Sequence, residues 1–167
     1  MPGSSASPSG GFLVVDRDLI VAKLAELADR IERARSRCPV SVDDLRADRD
    51  ALDLVSFNLM LAVQSCSDIA GHLIADEGWP APPNLAAGFN RLRDQGVIST
   101  KTASSLCRAV GLRNVVAHGY GGINPAMVHA AATMGVLDLE AFAQEVAQWI
   151  APRQADPAKE PNGGDDP

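Results

Sequence analysis

With 167 residues, 46% of them hydrophobic, the chain can bury the core of one domain, and its 4% aromatic content favours packed helices over a sheet, whose strands draw on aromatic and β-branched residues. The formal net charge of −6 argues against a surface built throughout for phosphate, but Arg91, Arg93, Lys101, Arg108 and Arg113 face only Asp94 between positions 91 and 113, so that segment is +4 and the remainder −10. Cys38, Cys66 and Cys107 are odd in number and widely spaced, which excludes a CxxC zinc site or a disulfide framework and fits reduced thiols in a cytoplasmic protein.

The opening MPGSSASPSGG has no basic region followed by an apolar stretch, so no signal peptide is expected; no uninterrupted apolar run approaches the ~18 residues of a membrane span. Residues 1–11 and the acidic tail 152–167, rich in Pro, Gly, Ser and charge, are expected to be disordered, leaving one helical domain over residues 12–151. Asp16 is a candidate N-cap for a first helix whose stripe Ile20, Leu24, Leu27, Ile31 and Ala34 recurs at spacings of three and four, and Pro39 ends it near Cys38. Ser41 and Asp44 resemble a capping box that opens a long second helix with Leu52, Val55, Leu59, Val63, Cys66, Ala70 and Leu73 on its buried face.

Gly78 and Pro80 stop that helix, and a prolyl loop leads to a short helix holding Leu85, Phe89 and Leu92, closed by Gly96. Ser99 caps the next helix, which Gly111 is expected to break or bend. Asn124 followed by Pro125 marks another helix start, and the last helix carries Leu137, Leu139, Phe142, Val146 and Ile150. No convincing alternating segment exists, so the fold class is all-α, a single-domain helical bundle.

Most chemical signatures are absent: there is no phosphate-binding GxxxxGK[ST] loop, no GxGxxG, no HExxH and no GxSxG. His72 and His129, each lone within a helix, read as structural or exposed. His118 stands in the octet Arg113-Asn114-Val115-Val116-Ala117-His118-Gly119-Tyr120, with the chain's single tyrosine. Arg113 is a permanent cation with planar donors suited to a phosphate, and His118 can exchange a proton near neutral pH. Five residues apart on one helix, the two lie roughly 140° around the axis and flank a groove, unless Gly119 ends the helix at His118. Cleavage of RNA by its own 2′-hydroxyl needs a base for that hydroxyl, an acid for the leaving 5′-oxygen and positive charge for the phosphate. One Arg–His pair supplies part of this set; two copies across a two-fold axis supply two histidines and two arginines, which favours a homodimer with the site at its seam. No metal and no cofactor are expected, since no carboxylate cluster suggests one.

The octet resembles the Arg-x4-His-x-Tyr motif of HepT-like ribonuclease toxins of the HEPN superfamily, and the likeness extends through DLVSFNLMLAVQSCSDIAGHLI, GFNRLRDQGVIS, GLRNVVAHGYGGIN and LDLEAFAQEVAQWI, covering about Asp16 to Ile150. The resemblance implies a HEPN-like helical bundle that dimerises. It implies an RNA substrate, with tRNA among the expected targets, Arg113 and His118 as the catalytic pair, and Asn114 in a supporting role. It also implies a partner, a minimal MntA-like nucleotidyltransferase antitoxin that transfers AMP from ATP to Tyr120 and so adds bulk and negative charge beside Arg113 and His118. The motif itself shows no departure from the family, whereas the low net charge and acidic tail do. Asp68, in a mainly apolar helix, is a candidate to orient His118, although a surface role fits it as well. The alternative from another class is a non-catalytic helical dimer that binds nucleotides or a partner protein, which the acidic charge favours and the intact Arg113–His118–Tyr120 set disfavours.

Overall fold

The computed structural model describes residues 16–119 and 122–151; Tyr120, the two terminal segments expected to be disordered, and residues 12–15 of the expected domain lie outside them. The described residues form seven α-helices and no strand: α1 (Arg17–Arg37), α2 (Val42–Ala47), α3 (Arg49–Asp76), α4 (Leu85–Asp94), α5 (Thr100–His118), α6 (Pro125–Ala130) and α7 (Val136–Ile150), with a π-helical turn over Ala131–Gly135 between the last two. The all-α expectation is met.

Helix starts follow the sequence signals closely. Short polar side chains accept the otherwise unpaired N–H groups of the first turn: Asp16 from Leu19 at 3.1 Å, Ser41 from Asp44 at 3.0 Å, Asn84 from Ala87 at 2.9 Å, Ser99 from Thr102 at 3.1 Å and Asn124 from Ala126 at 2.9 Å. One boundary differs from expectation. The long second helix is two helices, because Asp48 leaves the helical backbone (φ −104°, ψ 95°) and its carboxylate caps Ala51 at 2.9 Å, so α3 starts there rather than at Ser41. Gly78 and Gly96 adopt left-handed φ angles of 67° and 73° just beyond α3 and α4, as helix-ending glycines do.

α3 is the central element: it packs along α1 and touches α2, α4, α5, α6 and α7. Leu52, Val55, Leu59, Val63, Cys66, Ala70 and Leu73 are all buried, as the spacing required. By length and composition alone α3 and the stretch Pro125–Ile150 are apolar enough to cross a membrane, but just over half of the α3 window is already buried inside the bundle. Two edge-to-face aromatic pairs, Phe89–Phe142 and Trp79–Trp149, each with centroids 6.1 Å apart, join α4 and the loop after α3 to α7; such a pair contributes about 0.5–1.5 kcal/mol beyond its buried area. On α7, Val136, Leu139, Phe142, Val146 and Ile150 form the buried stripe, whereas Leu137, only two residues before Leu139 and so on the opposite face, is 56% exposed. His129 sets Nε2 3.1 Å from both the Pro39 and Val40 carbonyls, tying α6 to the loop after α1, which is the structural role expected of it.

Two restraints fix α5. At its start, Glu145 of α7 accepts from the Ser99 N–H at 2.8 Å and from the Thr102 hydroxyl at 3.0 Å, placing a carboxylate at the positive end of the helix. Farther on, Gly111 does not break the helix; α5 runs unbroken to His118, because packing against α3, α4 and α7 outweighs the weak helix propensity of one glycine. Gly111 is exposed and a Cβ built there meets nothing within 4 Å. Gly111→Ala is therefore expected to stabilise the protein by roughly 0.5–1 kcal/mol, read as a higher midpoint in urea at unchanged slope; a lower midpoint would contradict the open surroundings of this position.

Candidate functional site

The last two turns of α5 carry the candidate residues, and the helix ends at His118. Gly119 takes φ 61° in the left-handed region, its N–H bonds the Val115 carbonyl at 3.0 Å, and this cap makes His118 the final helical residue. His118 is exposed there. Arg113 lies earlier on the same helix by a rise of about 7.5 Å, half-buried. His118 is itself still helical, so the two positions lie roughly 140° apart around α5, and Gly119 ends the helix directly after them.

The guanidinium of Arg113 is held from two sides. Nη2 donates to Oε1 of Gln64 on α3 at 2.9 Å, and Nη1 donates to Oδ1 of the neighbouring Asn114 at 3.1 Å. Nε is buried with no acceptor. Each terminal nitrogen carries two N–H groups, so one on each remains beyond these bonds, the number a phosphate takes in a forked pair. Asn114, itself exposed, meets the site through this bond. Gln64 in turn donates through Nε2 to Oδ1 of Asp68 at 3.0 Å. Asp68, considered as an orienter of His118, thus engages the Arg113 side of the site through Gln64. Gln64 was missed in the sequence; its one signal was the Gln–Asp pair four residues apart on an otherwise apolar helix.

Gln64 and Asp68 continue a stripe on the outer side of α3, Leu54-Phe57-Leu61-Gln64-Asp68, spaced three and four apart. Its early part is apolar and open, with Leu54 43% and Phe57 50% exposed, and Val115 beside the candidate residues on α5 is 46% exposed. The site is thus an open surface with apolar flanks. By contrast, a cavity of about 210 Å³ between α3, α5, the π-helical turn and α7 is lined mainly by apolar residues such as Leu59, Val63, Leu106 and Leu139, and includes none of Arg113, Asn114 or His118.

Other groups are not poised for chemistry. Burial pushes the Cys66 thiol far up from its ordinary range, and the Cys38 thiol is also raised by burial, so neither supplies a ready thiolate. Among the described residues no three or more His, Cys, Asp or Glu cluster where they could hold a metal ion. Of the basic segment, Arg93 is engaged locally with Asp94 at 2.9 Å and Asn90 at 3.1 Å, and Arg108 with Ser105 at 3.0 Å; Arg113 reaches across to another helix.

The chain is similar to known proteins in sequence and in fold. The sequence profile of the ribonuclease HepT-like family matches residues 27–146. A Shewanella oneidensis protein named mRNA nuclease HepT is 26% identical over 125 residues, spanning 75% of this chain and 93% of that protein. The solved structure of the tri-AMPylated Shewanella oneidensis HEPN toxin in complex with MNT antitoxin superposes with a TM-score of 0.74 at 25% identity, covering 79% of this chain and 98% of that one. A crystal structure of a toxin–antitoxin with AMP-PNP, at 24% identity and TM-score 0.74 over 79% of this chain and 99% of the other, shares the fold.

Proposed function

This chain belongs to the ribonuclease HepT-like family, and from that membership we propose that it is a metal-independent endoribonuclease, the toxin of a toxin–antitoxin pair, acting through Arg113 and His118 at a homodimer cleft. The observation that carries the reading is the end of α5: a guanidinium anchored on α3 with donors to spare, and an exposed histidine on the same helix, stopped there by Gly119. In the proposed reaction a base takes the proton of a 2′-hydroxyl, the 2′-oxygen attacks the adjacent phosphorus, and the bond to the 5′-oxygen breaks as an acid protonates it. Arg113 meets the charge that grows on the phosphoryl oxygens. His118 can hold one of the two proton-transfer roles, and the His118 of a second copy supplies the other. The exposed Leu54, Phe57 and Val115 that flank Gln64 and Arg113 give the apolar area through which two copies would meet there. An open surface also suits a macromolecular substrate better than a closed pocket does.

The substrate is read as RNA. The similar Shewanella oneidensis protein is called an mRNA nuclease, so mRNA and tRNA are both to be assayed. Purified protein is expected to cleave RNA in EDTA and to leave 2′,3′-cyclic phosphate ends. His118→Ala and Arg113→Ala are each expected to lower the rate by about 10²-fold or more with helix content unchanged. Activity that vanishes in EDTA and returns with magnesium contradicts metal independence, and full cleavage by His118→Ala contradicts the assignment. Binding of nucleotides without any cleavage would instead support the non-catalytic dimer.

Control is read at Tyr120, two residues beyond His118 and followed by Gly121 and Gly122. A partner nucleotidyltransferase would join the tyrosyl oxygen to the α-phosphorus of ATP and release pyrophosphate. The added phosphodiester would compete with RNA for the donors of Arg113. The AMP-modified toxin bound to its antitoxin among the similar structures supports this reading. Co-expression with a cognate minimal nucleotidyltransferase is expected to add one or more AMP units to the intact mass, lost in Tyr120→Phe, which stays toxic. An unmodified chain that is nonetheless neutralised means inhibition by simple binding.

A further inference from the structure

We propose that Gln64 and Asp68 act as a positioning pair that sets the direction of the Arg113 guanidinium, an inference resting on the reading of Arg113 as the phosphate-binding residue. Gln64 Oε1 accepts from Arg113 Nη2 at 2.9 Å while its Nε2 donates to Asp68 at 3.0 Å. Arginine can only donate, and a carboxylate can only accept. A glutamine amide between the two satisfies both in a single orientation, oxygen toward Arg113 and nitrogen toward Asp68. Turning the amide over would set donor against donor on one side and acceptor against acceptor on the other. Asp68 therefore fixes which end of Gln64 faces the site, although it is not the group that touches Arg113.

The anchor matters because the rest of Arg113 does little to aim it. Nε is buried without an acceptor, and the other bond goes to Asn114, the next residue on the same helix, which moves with α5. Gln64 is the contact that refers the guanidinium to a separate element, and that element is the core helix α3. Held this way, the remaining terminal N–H groups keep one direction before substrate arrives, and a pre-aimed donor is worth more at a developing charge than one that must reorganise. Asp68 is exposed and Gln64 half-buried, so the pair reaches the surface beside the site instead of filling the core.

A purely structural clamp between α3 and α5 predicts lost stability; a positioning pair predicts lost turnover with a specific pattern. The test uses full-length protein, with RNA cleavage kinetics, thermal melts and side-chain ¹⁵N spectra of Arg113. Gln64→Leu is expected to lower kcat about tenfold with little change in melting temperature, and to merge the separate Nη signals of Arg113 as the guanidinium rotates freely. Asp68→Ala should cost about threefold, and adding it to Gln64→Leu should cost nothing more, since Asp68 acts only through Gln64. The exchange Gln64→Glu with Asp68→Asn keeps both hydrogen bonds and the net charge, and is expected to restore kcat to within about threefold of wild type. Unchanged Nη signals and kcat in Gln64→Leu, a further loss on adding Asp68→Ala, or no recovery in the exchanged pair would each overturn the proposal. Full cleavage by Arg113→Ala overturns the functional reading itself; if Arg113→Ala is inactive while Gln64→Leu cleaves normally, only the positioning role fails.

Discussion

The hydrogen bond from Arg113 to Gln64 ties the end of α5 to α3, and the geometry of the site depends on α3 holding still. α3 is fixed by its packing against each of the other described helices, with Leu59, Val63, Cys66 and Leu73 buried along its length. A helix so deeply committed to the core has little polar surface to lend. What it does lend is the stripe ending in Gln64 and Asp68, on the side left open by its neighbours. At the far end of α5, Glu145 caps the first turn from α7. The candidate residues therefore stand on a helix held at one end by a carboxylate and near the other by an amide.

The termination of α5 is the second constraint. Were the helix to run on, His118 would sit mid-helix, its backbone flanked by another turn. Gly119 stops it with a left-handed residue that a side chain would strain. A phosphate responds mainly to charges within about a Debye length, ~8 Å at physiological salt, so the chain's overall acidity bears on it less than the cation it touches does. Within the basic segment between positions 91 and 113, Arg93 and Arg108 are engaged with neighbours on their own helices, whereas Arg113 is held from another helix, α3, near the end of α5.

Much of this is legible in the sequence. Asp16, Ser41, Ser99 and Asn124 declare helix starts because a short polar side chain there pairs backbone groups that nothing else can reach. The buried face of α3 follows from spacing alone. The misreadings have local causes. Asp48 looked like one more helical residue because nothing in a hydrophobic pattern distinguishes a cap from an exposed polar position. Gly111 looked like a break because propensity counts the glycine and not the three helices packed on α5. Leu137 joined the stripe on composition although Leu139, two residues on, already claimed the opposite face. At the site, Arg113, Asn114 and His118 were found from one contiguous octet, whereas Gln64 lies 49 positions from Arg113 and no local pattern reports a contact of that separation.

The central claim is that the reaction needs the histidines of two chains at one cleft. Wild-type chains mixed in varying proportion with His118→Ala chains, allowed to exchange subunits, test it most directly when cleavage is read against the wild-type fraction. With both histidines required, only wild-type pairs cleave, activity follows the square of that fraction, and light scattering gives twice the 17.5 kDa of one chain. Activity falling in simple proportion to the wild-type fraction, or full activity at the mass of a single chain, would contradict it.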